Sequence, residues 1–173
     1  MITQTRLSGL VLIQREAAQN EFEADTIVKF EELADADFKI RQINHSHSVK
    51  GVLRGLHAEH WNKIVWLVRG QAFCAITDIR LDSPTFGEYE DFELSADNRQ
   101  ALYIPDGFAN SVYALTDIDY LYMVSKTYDG TDTFAVAWDD PDIGIAWPKG
   151  ERIISQRDQN NPRLRDLYPT KFS

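Results

Sequence analysis

The sequence predicts a mostly β fold, an antiparallel sandwich or barrel with short helices at its C-terminal end. Three observations support it. Beyond residue 38 the chain falls into short runs rich in β-branched and aromatic residues. Turn signals separate those runs at the spacings of sandwiches and barrels. The chain has 173 residues, 43% of them hydrophobic, with no linker, repeat or low-complexity stretch. That is enough for one domain spanning 1–173 to close a core without a metal or disulfide staple.

Taken in order, strands are expected near 9–14, 38–43, 51–57, 63–69, 71–80, 90–95, 100–104, 108–115 and 118–126. Gly70, Asp82-Ser83-Pro84, Ala96-Asp97-Asn98 and Pro105-Asp106-Gly107 break the chain between them. Glu31 to Ala36 reads as one helical turn. Ile64 to Val68 is apolar at every position, which predicts burial on both faces. Alternation in Ile118–Lys126 places Tyr120 and Tyr122 on one face with Ile118 and Val124, opposite Asp119, Leu121 and Met123. After Lys126 the chain is irregular, with turns at Asp139-Asp140-Pro141 and Trp147-Pro148. Ser155-Gln-Arg-Asp158 then has the spacing of a capping box that opens a short helix.

Composition excludes several functions. The longest apolar runs, Leu10–Ile13 and Ile64–Val68, fall far short of the ~20 residues that span a bilayer. The single cysteine, Cys74, has no partner in the chain and no signal peptide is evident, so a cytoplasmic location is expected. Cys74 sits between Phe73 and Ala75, where it should pack as a small hydrophobe. A net charge of −9 argues against nucleic acid or anionic membrane as partner. Against that background, Lys39 to Arg69 holds six basic residues and one acid, Glu59, together with all four histidines. A local positive field of this kind suits a compact anion.

Within that stretch, Arg54-Gly55-Leu56-His57 combines a cation, a flexible residue and a titratable base. Strict alternation would separate Arg54 from His57, so one site for both requires a bulge, which Gly55 accommodates best. The histidines also raise a metal reading, with His45-x-His47 on one strand face and His57-x-x-His60 nearby. Ser48-Val49-Lys50-Gly51 follows where a carboxylate ligand is wanted, and lysine beside a divalent cation is unfavourable, so no metal is expected. There is no Gly-x-Ser-x-Gly elbow and no Gly-x-Gly-x-x-Gly loop. Proton chemistry remains, carried by a histidine, a lysine and tyrosines.

Several motifs in register then carry a family resemblance. They are Gln42-x-Asn44-x-Ser46-x-Ser48, Gly51-Val-Leu-Arg-Gly-Leu-His57, Asp78-Ile-Arg80, Ser83-Pro-Thr-Phe-Gly87, Leu94-Ser95-Ala96, Ile104-Pro105-x-Gly107-Phe108-Ala109 and Trp138-x-Asp-Pro-x-Ile-Gly-Ile-x-Trp-Pro148. Together they resemble the dTDP-4-dehydrorhamnose 3,5-epimerase family from about residue 38 to residue 164. The resemblance implies a cupin-type antiparallel β-barrel of jelly-roll form. It implies an enzyme without metal or cofactor, usually a homodimer, acting on a nucleotide-linked 4-keto-6-deoxy sugar. By motif, His57 is the general base, Asp158 its acidic partner, Lys63 the lysine opening the next strand and Tyr122 the catalytic tyrosine. Arg54 matches the arginine that contacts the diphosphate and Tyr128 a tyrosine lining the nucleotide pocket, with Gln42, Asn44 and Asn110 also against substrate.

Two departures bear on scope. The family's Asp-x-Arg-Gly-x-Phe, which helps cover the nucleotide and can come from the partner subunit, is replaced by Asp25-Thr-Ile-Val-Lys-Phe30. The common Gly-Phe-Ala-His reads Gly107-Phe-Ala-Asn110, in what is expected to be a loop facing the sugar. A single-centre 3- or 5-epimerase and a 3,4-ketoisomerase stand as alternatives within the enzyme class. A non-catalytic or metal-dependent sugar-binding cupin stands outside it.

Overall fold

The computed structural model describes residues 1–19, 24–27, 38–130 and 133–172. The helical turn expected at Glu31–Ala36 lies outside the described residues, as do the last three residues of the Asp25–Phe30 segment. One sheet has the order β1-β2-β10-β7-β12-β5, built from β1 (Ile2–Gln4), β2 (Val11–Gln14), β10 (Gln100–Ile104), β7 (Lys63–Arg69), β12 (Ile118–Val124) and β5 (Gln42–Ser48). The second runs β13-β6-β11-β8-β9, from β13 (Thr133–Ala135), β6 (Val52–Glu59), β11 (Phe108–Ala114), β8 (Gln71–Asp78) and β9 (Tyr89–Ser95). The short β14 (Ile153–Ile154) adds to β6 in parallel. A separate hairpin pairs β3 (Glu16–Gln19) with β4 (Ala24–Ile27). Two short helices, α1 (Gln156–Gln159) and α2 (Leu164–Leu167), close the chain with a 3₁₀ turn at Pro169–Lys171.

This is a jelly-roll sandwich rather than a closed barrel, because no ladder joins the two sheets among the described residues. Val65, Leu67, Leu102, Ile104, Ile118 and Tyr120 of the first sheet meet Cys74, Ile76, Leu94, Phe108 and Val112 of the second to form the core between them. Cys74 is buried here as expected, and burial pushes its thiol up to about 12, which leaves it inert. The outer face of the second sheet is covered by the chain after β13, where Val136, Ile143 and Leu164 pack on Leu56, Ala58 and Ala109.

Two strand expectations need correction. The strand expected at 38–43 begins instead at Gln42, and Phe38 packs edge-on against Tyr103 with ring centroids 5.8 Å apart. β5 is a polar edge strand, so hydrophobicity does not mark it; its register comes from full antiparallel pairing with β12. Val68 is 47% exposed, although Ile64, Val65, Trp66 and Leu67 are buried. It shares the outer face of β7 with Ile64 and Trp66, but the apolar cluster there stops at Trp66, two residues short of it.

A buried carboxylate pins the end of β8. Asp78 is fully buried and receives Arg80 through Nε at 2.9 Å and a terminal nitrogen at 2.6 Å, the Ser83 hydroxyl at 2.6 Å and the Thr85 hydroxyl at 2.7 Å. Burial pushes this carboxyl up, but the four donors outweigh it and bring it to about 2. The Asp78-Ile-Arg80 and Ser83-Pro-Thr motifs are thus one structural knot away from the cavity described next.

Candidate active site

The bulge expected at Gly55 is present and builds the site. β11 pairs Asn110 with His57 and Val112 with Arg54, so three steps on β6 answer two on β11. The extra residue turns Arg54 and His57 to the same side, where both line one cavity of about 270 Å³. Only glycine fits the bulge: Gly55 has φ +131°, and a Cβ there would lie 2.6 Å from the Ser111 Cβ. On the opposite edge of β11 the Ser111 hydroxyl bonds both backbone groups of Ala75 on β8, at 3.0 and 3.1 Å, which ties the bulged segment to that strand.

His57 projects from the second sheet, and its Nε2 lies 2.8 Å from Asp158 Oδ1. The Ser155 hydroxyl caps α1 by accepting from the Asp158 N–H at 3.1 Å. The Asp158 carboxylate does not complete the capping box; it turns inward to His57 and takes the Gly55 N–H at 3.3 Å. Asp158 is 4% exposed. Burial pushes its carboxyl up, yet the His57 ring and the Gly55 N–H hold it below the usual carboxylate range.

The first sheet supplies the facing wall. Tyr120 and Tyr122 share the inward face of β12, as alternation requires, with ring centroids 5.6 Å apart. Burial, reinforced by the Glu59 charge, pushes the Tyr122 hydroxyl above its ordinary value, so it keeps its proton at neutral pH. Lys63 opens β7, is 5% exposed and sits over the Tyr122 ring at 5.4 Å from its centroid. Its ammonium donates to both oxygens of Glu59, at 2.9 and 2.8 Å, and to Asn110 Oδ1 at 3.3 Å. At the mouth, Gln42 joins two other expected site residues: its amide donates to Asn44 at 2.8 Å and accepts the Tyr128 N–H at 3.0 Å. Tyr128 stands edge-on to Trp61, centroids 6.3 Å apart.

All nine residues singled out in the sequence come together here. Asn110 lies within β11, inside the strand expected at 108–115 and not in a loop facing the sugar, and is buried. His45 and His47 face outward and meet Asp119 at 3.1 and 3.2 Å, while His60 pairs with Asp106. The histidine cluster is therefore dispersed over separate surfaces, and no metal-holding group of His, Cys, Asp or Glu occurs among the described residues. Sequence reasoning missed Glu59, Trp61 and Arg157, which also line the cavity. Glu59 was legible by strand parity, two residues beyond His57, and Arg157 by adjacency to Asp158.

The family model for dTDP-4-dehydrorhamnose 3,5-epimerase matches residues 4–166. The chain is 36% identical over 174 residues to the enzyme of that name from Methanothermobacter thermautotrophicus, covering 94% of each. The chain belongs to the dTDP-4-dehydrorhamnose 3,5-epimerase family. Among solved members, dTDP-6-deoxy-D-glucose-3,5-epimerase from Legionella pneumophila, in complex with dTDP-4-keto-L-rhamnose, superposes with a TM-score of 0.91 at 32% identity, covering 99% of this chain and 95% of that one. A 3'-monoepimerase from Streptomyces bikiniensis, in complex with dTDP-quinovose, gives 0.90 at 29% identity, covering 96% and 89%. No described helix is long and apolar enough to cross a membrane.

Proposed function

We propose that the protein is a sugar-nucleotide 3,5-epimerase acting on a dTDP-4-keto-6-deoxyhexose. The observation that carries this reading is the opposition of His57, backed by Asp158, and Tyr122 across one cavity, each rooted in a different sheet. A ketone at C4 acidifies the hydrogens on C3 and C5. With Nε2 engaged by Asp158, Nδ1 of His57 is the nitrogen left to take such a proton. The C–H electron pair moves into an enolate, whose oxygen Lys63 stabilises by exchanging its longest contact, to Asn110, for the substrate. Tyr122 then protonates the carbon from the opposite face, which inverts it, and solvent restores both groups. The ketone is itself the electron sink, so the chemistry calls for no cofactor. Arg54 grips the diphosphate through its planar fork, and Tyr128, Gln42 and Asn44 line the way to the nucleotide.

We extend the reading to a homodimer working in the cytoplasm, supported by the family resemblance and by the buried, unpaired Cys74. Sedimentation of the purified chain tests the dimer. A single-centre epimerase is the second reading, favoured by the likeness to the 3'-monoepimerase and by an amide, Asn110, where the family commonly has imidazole. Proton NMR of the protein with dTDP-4-keto-6-deoxyglucose in deuterium oxide decides between them. Exchange at both C3 and C5 with inverted product supports the double epimerase, exchange at one centre supports the second reading, and no exchange removes both.

A further inference from the structure

Glu59 is the one acid between Lys39 and Arg69, and among the described residues it is the one carboxylate lining the 270 Å³ cavity. None of the steps above uses it. β6 ends at Glu59 and β7 begins at Lys63, so the intervening three-residue link returns both side chains to the same mouth. There Glu59 grips the ammonium with both oxygens, at 2.9 and 2.8 Å. Asn110 closes the ring, donating to Glu59 at 3.2 Å and to the His57 carbonyl at 2.7 Å while it accepts from Lys63 at 3.3 Å. Three acceptors thus meet the three protons of the ammonium.

The surroundings explain why that carboxylate is needed. Lys63 is 5% exposed, and burial of a lone cation favours its neutral form. β6 also faces the cavity with Arg54 and His57, α1 with Arg157, and β12 with Tyr120 and Tyr122. β5 and β11 bring only uncharged residues, Gln42 and Asn44 from the one and Asn110, Ser111 and Val112 from the other. Arg54 and Arg157 repel an ammonium, which leaves Glu59 as the one fixed negative charge of the cavity wall that attracts it.

We propose that Glu59 is a positioning residue, the counter-ion that keeps the Lys63 ammonium charged and fixed over the Tyr122 ring, where the C4 oxygen of the sugar develops its charge. This rests on the epimerase reading. It predicts that the substrate oxygen displaces Asn110, and that Glu59 remains bound to Lys63 through turnover.

The test compares Glu59→Gln, Lys63→Met and the double variant, with dTDP-4-keto-6-deoxyglucose as substrate. Glu59→Gln should lower kcat roughly 10–100-fold at neutral pH with KM changed far less. Its rate relative to wild type at the same pH should recover as pH falls, because added protons restore the ammonium, whereas a merely structural defect would not respond in that way. The double variant should be no slower than Lys63→Met alone, since Glu59 acts through Lys63. Wild-type rate and pH profile in Glu59→Gln, or a double variant whose loss is the product of the single losses, overturns the proposal.

Thermal unfolding provides a readout independent of the reaction. Glu59→Gln should gain stability relative to wild type as pH rises, because its folded state binds fewer protons than its unfolded state. If the wild type exchanges no deuterium, the epimerase reading fails, and the melts alone decide whether Glu59 serves Lys63. An unchanged pH dependence of melting then overturns the proposal. If Glu59→Gln does not fold, rescue by Lys63→Met supports it and absence of rescue overturns it.

Discussion

Replacing Asp158 with Asn removes one charge while preserving shape, at a position that is 4% exposed. In the folded protein the carboxylate lies 2.8 Å from His57 Nε2 and is held ionised against burial by that ring and the Gly55 N–H. When His57 takes a proton from the sugar, the wild-type ring becomes a cation beside an anion; in the variant it becomes a cation beside a neutral amide. At an effective dielectric of about 20, such a pair is worth about 4 kcal/mol, which is roughly 10³-fold in rate. That lies within the 10²–10⁴-fold typical of general acid–base groups. Steady-state epimerisation by Asp158→Asn should therefore fall about 10³-fold with substrate binding preserved, and the acidic limb of kcat/KM should move to lower pH. The stability sign follows from the depressed carboxyl. Its contribution is present above the unfolded value of about 3.9 and is lost as pH falls through the folded one, so the variant should be less sensitive to acid. A kcat within about threefold of wild type would refute the dyad as the working base.

Three further outcomes are expected. Tyr122→Phe keeps the ring beneath Lys63 but removes the proton donor, so deuterium should still enter with retained configuration while inversion drops at least about 10²-fold; inversion at the wild-type rate would transfer the acid role to Tyr120 or a water. His57→Asn should abolish exchange at C3 and C5 together, and normal wash-in at either carbon would remove His57 from that half-reaction. Asp78→Asn, far from substrate, should leave kcat intact but lower stability by about 2–3 kcal/mol at pH 7, given a carboxyl brought to about 2. In urea titrations the gap between wild type and Asp78→Asn should close as pH falls from about 4 towards 2, and a gap independent of pH would contradict the knot described for Asp78.

Most of the strands were legible from local rules, and the site residues from the motifs that carry the family resemblance. The Gly55 bulge followed from one requirement, that Arg54 and His57 share a face, and the β6–β11 register shows the extra residue that requirement predicts. Parity placed Tyr120 and Tyr122 on one face, and the family resemblance singled out Tyr122. What escaped notice was set by tertiary context. β5 carries alternating polar residues, so its position depends on pairing with β12 and not on hydrophobicity. Val68 is as apolar as its neighbours, and its exposure depends on where the outer cluster ends. Glu59 read as one acid in a basic stretch, and its meaning depends on Lys63 returning to it across the link to β7.

The two-sheet origin of the site bears on how one base and one acid can serve two carbons. In a gluco-configured chair the hydrogens on C3 and C5 are both axial and lie on the same face of the ring, flanking C4. A base beneath that face reaches either hydrogen with a small tilt of the sugar, and an acid above it can reprotonate either carbon. The oxygen between them is common to both enolates, so one cation at O4 serves both steps. On the proposed reading His57 on β6, Tyr122 on β12 and Lys63 on β7 divide the labour in this way, because a sandwich open at one end presents a ligand with two opposed walls. Discrimination between one centre and two then depends on whether the sugar can tilt, and the residues that fix its attitude are those that hold O4 and the hydroxyl beside it. Asn110 touches Lys63, Glu59 and the His57 carbonyl at once. On that reading it couples the base, the cation and the attitude of the ring. Asn110→His is therefore expected to alter the ratio of deuterium exchange at C3 to that at C5 without removing any group that moves a proton, and an unchanged ratio would refute that coupling.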